Sequence, residues 1–280
     1  LGMAVGLYLD LAVSIDRSGF EAWRFQDAYA TQVGLGAPPD DFNLNGQDWG
    51  LPVAAETYDG ELNDINGFHV TADHAMAALD NAASGPLEMG SVGGGTGMCT
   101  YEFKAGSASA SRLVRLGAAQ YTVGTFIQSN FGLRPELVVL GVPVGRELTG
   151  GEFRSKGSGS IIAIVATDAP LLPHQCKRLA RRVPLGLART GTIGHNSSGD
   201  IFLALSTANG QALQSGGVRH LDALADSELD PLFQAVVETV EEAVLDAMIA
   251  NETMTGRNGL TVRALPHDNL LELLRKTGRA

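Results

Sequence analysis

The chain has 280 residues, 44% of them hydrophobic and 18% charged, with a formal net charge of −11. That balance belongs to a folded globular protein, and a chain of this length buries roughly 75% of its unfolded surface without staples. A net-acidic chain with no basic run is a poor match for nucleic acid or an anionic membrane surface, and no apolar run reaches the roughly 18–20 residues of a membrane span.

In chain order, the Leu1–Leu9 run is broken by Asp10 and lacks a basic flank, so it does not read as a signal peptide. Gly6–Val13 predicts a buried strand. A turn-rich stretch with both tryptophans follows, to a boundary near Leu51-Pro52. Thr71 is placed to cap a helix over Ala72–Ala83, with Ala75, Met76, Leu79 and Ala82 on one stripe. Gly93–Gly97 predicts a tight loop. Tyr121–Phe131 and Glu136–Val142 read as strands, and Ser160–Ala166 as a strand covered on both faces. Pro173 opens a helix to Arg182, and Ile201–Ser206 is a further strand. Asp230-Pro231 starts a long helix to about Ala250, with Val236, Val240, Ala243, Val244 and Ala247 as its apolar stripe. A last helix covers Asp268–Lys276. Short strands with helices at both ends favour a layered α+β sandwich with helices outside.

Little of this sequence points to bound groups. Gly93–Gly97 carries no Gly-Lys-Ser/Thr and opens no helix, so it does not read as a phosphate loop. The six histidines show no HExxH and no metal-ligand pairing with acids, so no metal or cofactor is implied. Cys99 and Cys176 make no CxxC and no disulfide framework, which points to two buried thiols in a reducing, cytoplasmic setting.

The informative segment is His195-Asn196-Ser197-Ser198-Gly199-Asp200, directly before the apolar strand. One reading is a polar turn feeding that strand. The other is a self-cleaving junction, where a serine hydroxyl attacks the carbonyl before it and water releases a new chain start. The freed α-amine, with an unperturbed pKa of about 7.7–8, then accepts the hydroxyl proton in later turnovers. Glu238, Thr239, Glu241 and Glu242 cluster on the long helix. At about 100° per residue Thr239 and Glu241 lie nearly opposite one another, so a regular helix does not aim both at one centre.

From about Val53 the chain resembles the L-aminopeptidase D-Ala-esterase/amidase (DmpA) and β-aminopeptidase family. The likeness is carried by Ala55–Thr71, Val92–Met98, Tyr101–Lys104, Tyr121–Gly124, Ala166–Leu171, Gly186–Gly191 and Glu252–Arg257. It implies an αββα sandwich of the N-terminal-nucleophile type, cut into a large part (53–197) and a small part (198–280). The implied activity is a serine aminopeptidase or amidase acting on small peptides, amides or esters through an acyl-enzyme, without cofactor and as a possible homo-oligomer. The junction then makes Ser198 the nucleophile and Ser197–Ser198 the scissile bond, with Ser197 where a glycine is frequent. The supporting hydroxyl and acid fall on Thr239 and Glu241. Tyr101, Asn130 and the backbone at Gly95 are candidates for substrate and oxyanion contact, and Glu88, or Met89 in the alternative register, stands where a carboxylate would grip the substrate ammonium. Residues 1–52 instead resemble a fragment of 4-α-glucanotransferase, too short for the roughly 250 residues of that barrel. The sandwich is therefore expected to have its front truncated or replaced. Rival readings are an inactive remnant of the peptidase family and a glucan-contacting fragment.

Overall fold

The structure, a computed structural model, describes residues 57–154, 159–209, 218 and 220–279, with the paired segments 36–37 and 47–48. The strand expected over Gly6–Val13, both tryptophans and the boundary near Leu51 lie outside the described residues. The chain divides into two compact units, one of Leu1–Leu7, Glu56–Ala208 and Ala223–Ala280, the other of Tyr8–Ala55 and Asn209–Asp222. In the smaller unit Gly36–Ala37 pairs antiparallel with Gln47–Asp48.

The larger unit contains, in order, α1 (Ala72–Asp80), β1 (Ser107–Leu116), β2 (Ala119–Asn130), β3 (Ser160–Thr167), α2 (Pro173–Ala180), α3 (Val183–Arg189), β4 (Ile201–Ser206), α4 (Asp230–Ile249) and α5 (His267–Lys276). The strands form one sheet in the order β1-β2-β3-β4, antiparallel except between β3 and β4, which run parallel. Alternation along the strands fixes which face is covered. Val123, Thr125 and Ile127 of β2 stand beside Thr167, Val165 and Ala163 of β3, and all six are buried. Helix α4 lies against β1 and β2, and its stripe of Val236, Val240, Ala243, Val244 and Ala247 is buried completely. Each fully buried valine there contributes about 1.5–3 kcal/mol.

The opposite face differs. Phe126, Ile164 and Leu203 stand in one row, and Leu113 and Leu203 are 67% and 43% exposed. Among the described residues, β3 is therefore covered on one face, not on both as its unbroken apolar run suggested. Among the described residues there is one four-stranded sheet with helices on one side, which corresponds to half of the expected αββα sandwich.

Other expectations also change. Glu136–Val142 is not a strand. Arg134–Glu136 is a single 3₁₀ turn with Pro135 at its second position, and Val139 and Val142 bond to each other around Leu140 and Gly141, both at positive φ. Leu137 and Val139 fill the core there instead of a ladder. Helix α1 ends at Asp80, and Ala75, Met76 and Ala82 are exposed, so this stripe covers nothing among the described residues. Strand β1 was not anticipated, because Ser107–Ser111 alternates only serine and alanine. Both cysteines are free and buried, and burial pushes the Cys99 thiol up to about 12.

Candidate active site

The junction segment enters β4 as a closed turn. The Ser198 amide N–H donates to the His195 carbonyl at 2.8 Å, so the Ser197–Ser198 peptide is the last bond of a four-residue turn. Ser198 also pairs in parallel with Gly159, extending the β3–β4 ladder upstream of both strands. Its side chain is part-buried, and Oγ donates to Asp200 Oδ1 at 2.5 Å. The start of the turn is pinned by His195, whose Nε2 lies 2.7 Å from Glu136 Oε1; both side chains are 19% exposed. The other Glu136 oxygen accepts the Leu133 N–H.

Two glycines shape this corner. Gly159 sits at φ +131°, and a Cβ there would stand 2.0 Å from the Asn130 carbonyl oxygen. Gly191, at φ +106°, would collide with the Glu136 carbonyl in the same way. Neither glycine, nor His195 with Glu136, stood out in the sequence, because no local pattern links positions 59 residues apart.

The remaining candidates fall in other places. Asn130 is closest in the sheet, since it pairs with Ser160, the residue after Gly159. It is fully buried, its Oδ1 accepting from the Cys99 N–H and from Arg154 and its Nδ2 donating to the Tyr58 carbonyl. Arg154 in turn holds Glu61 at 3.1 Å.

Tyr101 is likewise fully buried. Its hydroxyl meets Thr190 Oγ1 at 2.7 Å, its ring packs edge-on against Phe131, and burial raises its phenol above the usual range. Tyr101 thus braces the loop leading to the junction. Tyr101 and Glu102 both take positive φ, at 51° and 60°, in the turn between the paired segments Cys99–Thr100 and Phe103–Lys104. Non-glycine residues in this region are uncommon, and the surroundings hold them there. The Glu102 carboxylate accepts the backbone N–H groups of Arg134, Phe153 and Arg154. The Arg134 guanidinium lies 3.4 Å over Phe103 and donates to the carbonyls of Tyr101, Glu102, Leu148 and Gly150.

Gly95 packs against Gly90 and Ser107, with no room for a Cβ. Glu88 and Met89 are exposed on the surface. Thr239 is fully buried on α4, its Oγ1 2.7 Å from Thr125 Oγ1 of β2. Thr125 pairs with Val165, six residues along β3 from Gly159, so roughly 20 Å of strand separates Thr239 from Ser198. Glu241 faces α3, where it meets Arg189 at 3.0 Å. The structure does not bring Thr239 or Glu241 to Ser198, because one side of α4 lies on the sheet and the other on a neighbouring helix. Among the described residues no group of His, Cys, Asp and Glu is placed to hold a metal, and no helix is long and apolar enough to cross a membrane.

The fold has close counterparts among solved structures. The L-aminopeptidase D-Ala-esterase/amidase of Ochrobactrum anthropi, described as a prototype of the serine aminopeptidases with a variant Ntn hydrolase fold, superimposes with a TM-score of 0.77 at 49% identity. That match covers 82% of this chain and 64% of the other. The fold is therefore the Ntn-hydrolase type expected from the sequence. The sequence signature of Peptidase family S58 matches residues 22–262, and the chain belongs to that family. The β-peptidyl aminopeptidase BapA of Sphingosinicella microcystinivorans is 48% identical over 247 residues, 82% of this chain and 62% of that protein. The chain thus spans somewhat under two thirds of the length of these relatives. A 51-residue stretch is 51% identical to the 4-alpha-glucanotransferase of Mycobacterium tuberculosis and covers only 7% of it. The family signature begins at residue 22, upstream of the boundary read near Leu51, and the short glucanotransferase match offers no better account of the chain.

Proposed function

We propose that this chain is a self-processing serine aminopeptidase or amidase that removes N-terminal residues from small peptides, amides or esters, with Ser198 as the nucleophile. The carrying observation is the place of Ser198 in a family S58 chain, at the entrance to the strand β4, with a held hydroxyl, and at the end of a closed turn. Cleavage of the 197–198 bond would make Ser198 a chain terminus. Its α-amine, with a pKa near neutrality, then takes the hydroxyl proton as Oγ attacks the substrate carbonyl. Acyl transfer to Oγ and hydrolysis by water complete the turnover without any cofactor.

This reading gives Tyr101 a bracing role, and in the described chain Thr239 is engaged with Thr125 and Glu241 with Arg189. The name of the BapA relative extends the substrate class to peptides that begin with a β-amino acid. Two buried free thiols support a reducing, cytoplasmic setting, and the family likeness supports a homo-oligomer.

Mass spectrometry of the purified chain should find fragments Leu1–Ser197 and Ser198–Ala280. Ser198→Ala should abolish both this splitting and the release of p-nitroaniline from amino-acid p-nitroanilides, with the melting temperature unchanged. A chain that stays whole on prolonged incubation and turns over no substrate would favour an inactive remnant.

A further inference from the structure

Charge is spread unevenly along this acidic chain. Between Asp168 and Asp200 there is no Asp or Glu, and Lys177, Arg178, Arg181, Arg182 and Arg189 all fall there. Between Arg219 and Arg257 there is no Lys or Arg, and Asp226, Glu228 and Asp230 stand early in that stretch. A chain with a formal net charge of −11 repels its own copies at long range, so association depends on where its cations gather.

The fold sets the two groups of charge side by side. On α2, Gln175, Cys176 and Leu179 are buried, which turns His174, Lys177 and Arg178 outward, and Arg181 follows at helical spacing. The turn Asp226–Glu228, which leads into α4, is fastened to this helix. Gln175 Nε2 donates to the Leu224 carbonyl at 2.9 Å and to Asp226 Oδ1 at 2.8 Å, and Arg178 pairs with Asp226 at 3.0 Å. Arg182 lies 3.8 Å over the ring of Phe233 on α4, and Arg189 is held by Glu241. Those contacts engage Arg178, Arg182, Arg189 and Asp226. Lys177 and Arg181 on the basic half, and Glu228 and Asp230 on the acidic half, are exposed and make no side-chain bond among the described residues. Leu185, near the start of α3, is 56% exposed.

Such a patch is complementary to itself. In a two-fold contact the same surface serves on both copies, so a basic half beside an acidic half meets its opposite when a second copy is turned by 180°. A surface of one sign would oppose like charges instead. We propose that this patch is a two-fold interface between two copies of the chain, in which Lys177 and Arg181 face the partner's Glu228 and Asp230, and the reverse. The proposal rests on the homo-oligomer read from the family likeness and gives that oligomer a surface. The charges set the register and speed the encounter, and Leu185 adds apolar area beside them.

Sedimentation velocity of the full chain over a concentration series tests this, with melting temperature as the check on folding. Lys177→Glu with Arg181→Glu makes both halves acidic, and Glu228→Lys with Asp230→Lys makes both halves basic. Each double variant is expected to associate at least ~10-fold more weakly than wild type, since like charges set against each other are costly. Mixed in equal amounts, the two variants regain the association, because each half again meets its opposite. The second variant is less acidic overall than wild type, so net charge alone predicts tighter association for it, the reverse of the expected result. Folded variants that associate as strongly as wild type, or a mixture that stays apart, would overturn the proposal and leave a homo-oligomer built on another face. A wild-type chain that is monomeric at every concentration overturns the interface and the oligomer together.

Discussion

The hairpin at Tyr101–Glu102 and the turn at His195–Ser198 are both dense in polar side chains, and they are held in opposite ways. At the hairpin every strained or charged group is enclosed. Glu102 is ringed by three backbone N–H groups, Arg134 spans four carbonyls, and Tyr101, Glu102, Lys104 and Arg134 are all at most 2% exposed. At the turn a backbone bond, a partly exposed ion pair, a ladder pairing and the hydrogen bond to Asp200 hold Ser198, the proposed nucleophile. Side chains that look chemically able are thus spent on structure, while the proposed scissile bond sits in a partly exposed turn. Elements that rearrange are drawn from the less stable end of a fold by necessity.

The largest break in this contrast is expected from Arg134→Met. It strips the donors from four carbonyls and removes a cation near the buried Glu102, at a cost of about 3–5 kcal/mol. Urea unfolding measures it, and a loss below about 1 kcal/mol would mean the hairpin is not locked as described.

Lys104 gives a smaller, pH-dependent effect. Its ammonium donates to the carbonyls of Met98 and Ala105, and burial lowers its pKa from 10.5 to about 8. Between these values the unfolded chain binds more protons than the folded one, so this group's contribution to stability rises with pH. The stability of wild type relative to Lys104→Met should therefore improve by about 1 kcal/mol from pH 8 to pH 9. A flat difference would show a lysine titrating as if exposed.

The smallest effect is expected from Thr239→Val, which removes the hydroxyl contact with Thr125 at nearly constant shape. It should cost about 1 kcal/mol and leave fragment formation at the wild-type rate. Lost cleavage with an unmoved melting point would instead move Thr239 to the junction side of the comparison.

What the sequence revealed follows from how local the signal is. The stripe on α4, the β-branched runs of β2 and β3 and the apolar run of β4 were legible because period and composition lie within one element. β1 was hidden by small residues whose strand state is imposed by pairing with β2 along its length. Glu136–Val142 carried strand composition but a turn-forming Pro135 and Gly141, and the turns won. At the site, the Ser198 segment was visible as a motif. The contacts that hold it (His195 with Glu136, Gly159 against Asn130, Tyr101 with Thr190) join residues dozens of positions apart and appear only once the chain is folded.

The sheet also decides what cutting the chain at Ser197–Ser198 does to the molecule. β4 and α4 follow the cut, yet β4 is zipped to β3 and α4 roofs β1 and β2, all of which precede it. Severing the backbone there releases a terminus but separates no layers, and the two pieces share a single hydrophobic interior. Maturation on this plan is a change of connectivity without disassembly: two bands after boiling in detergent, one particle in native buffer.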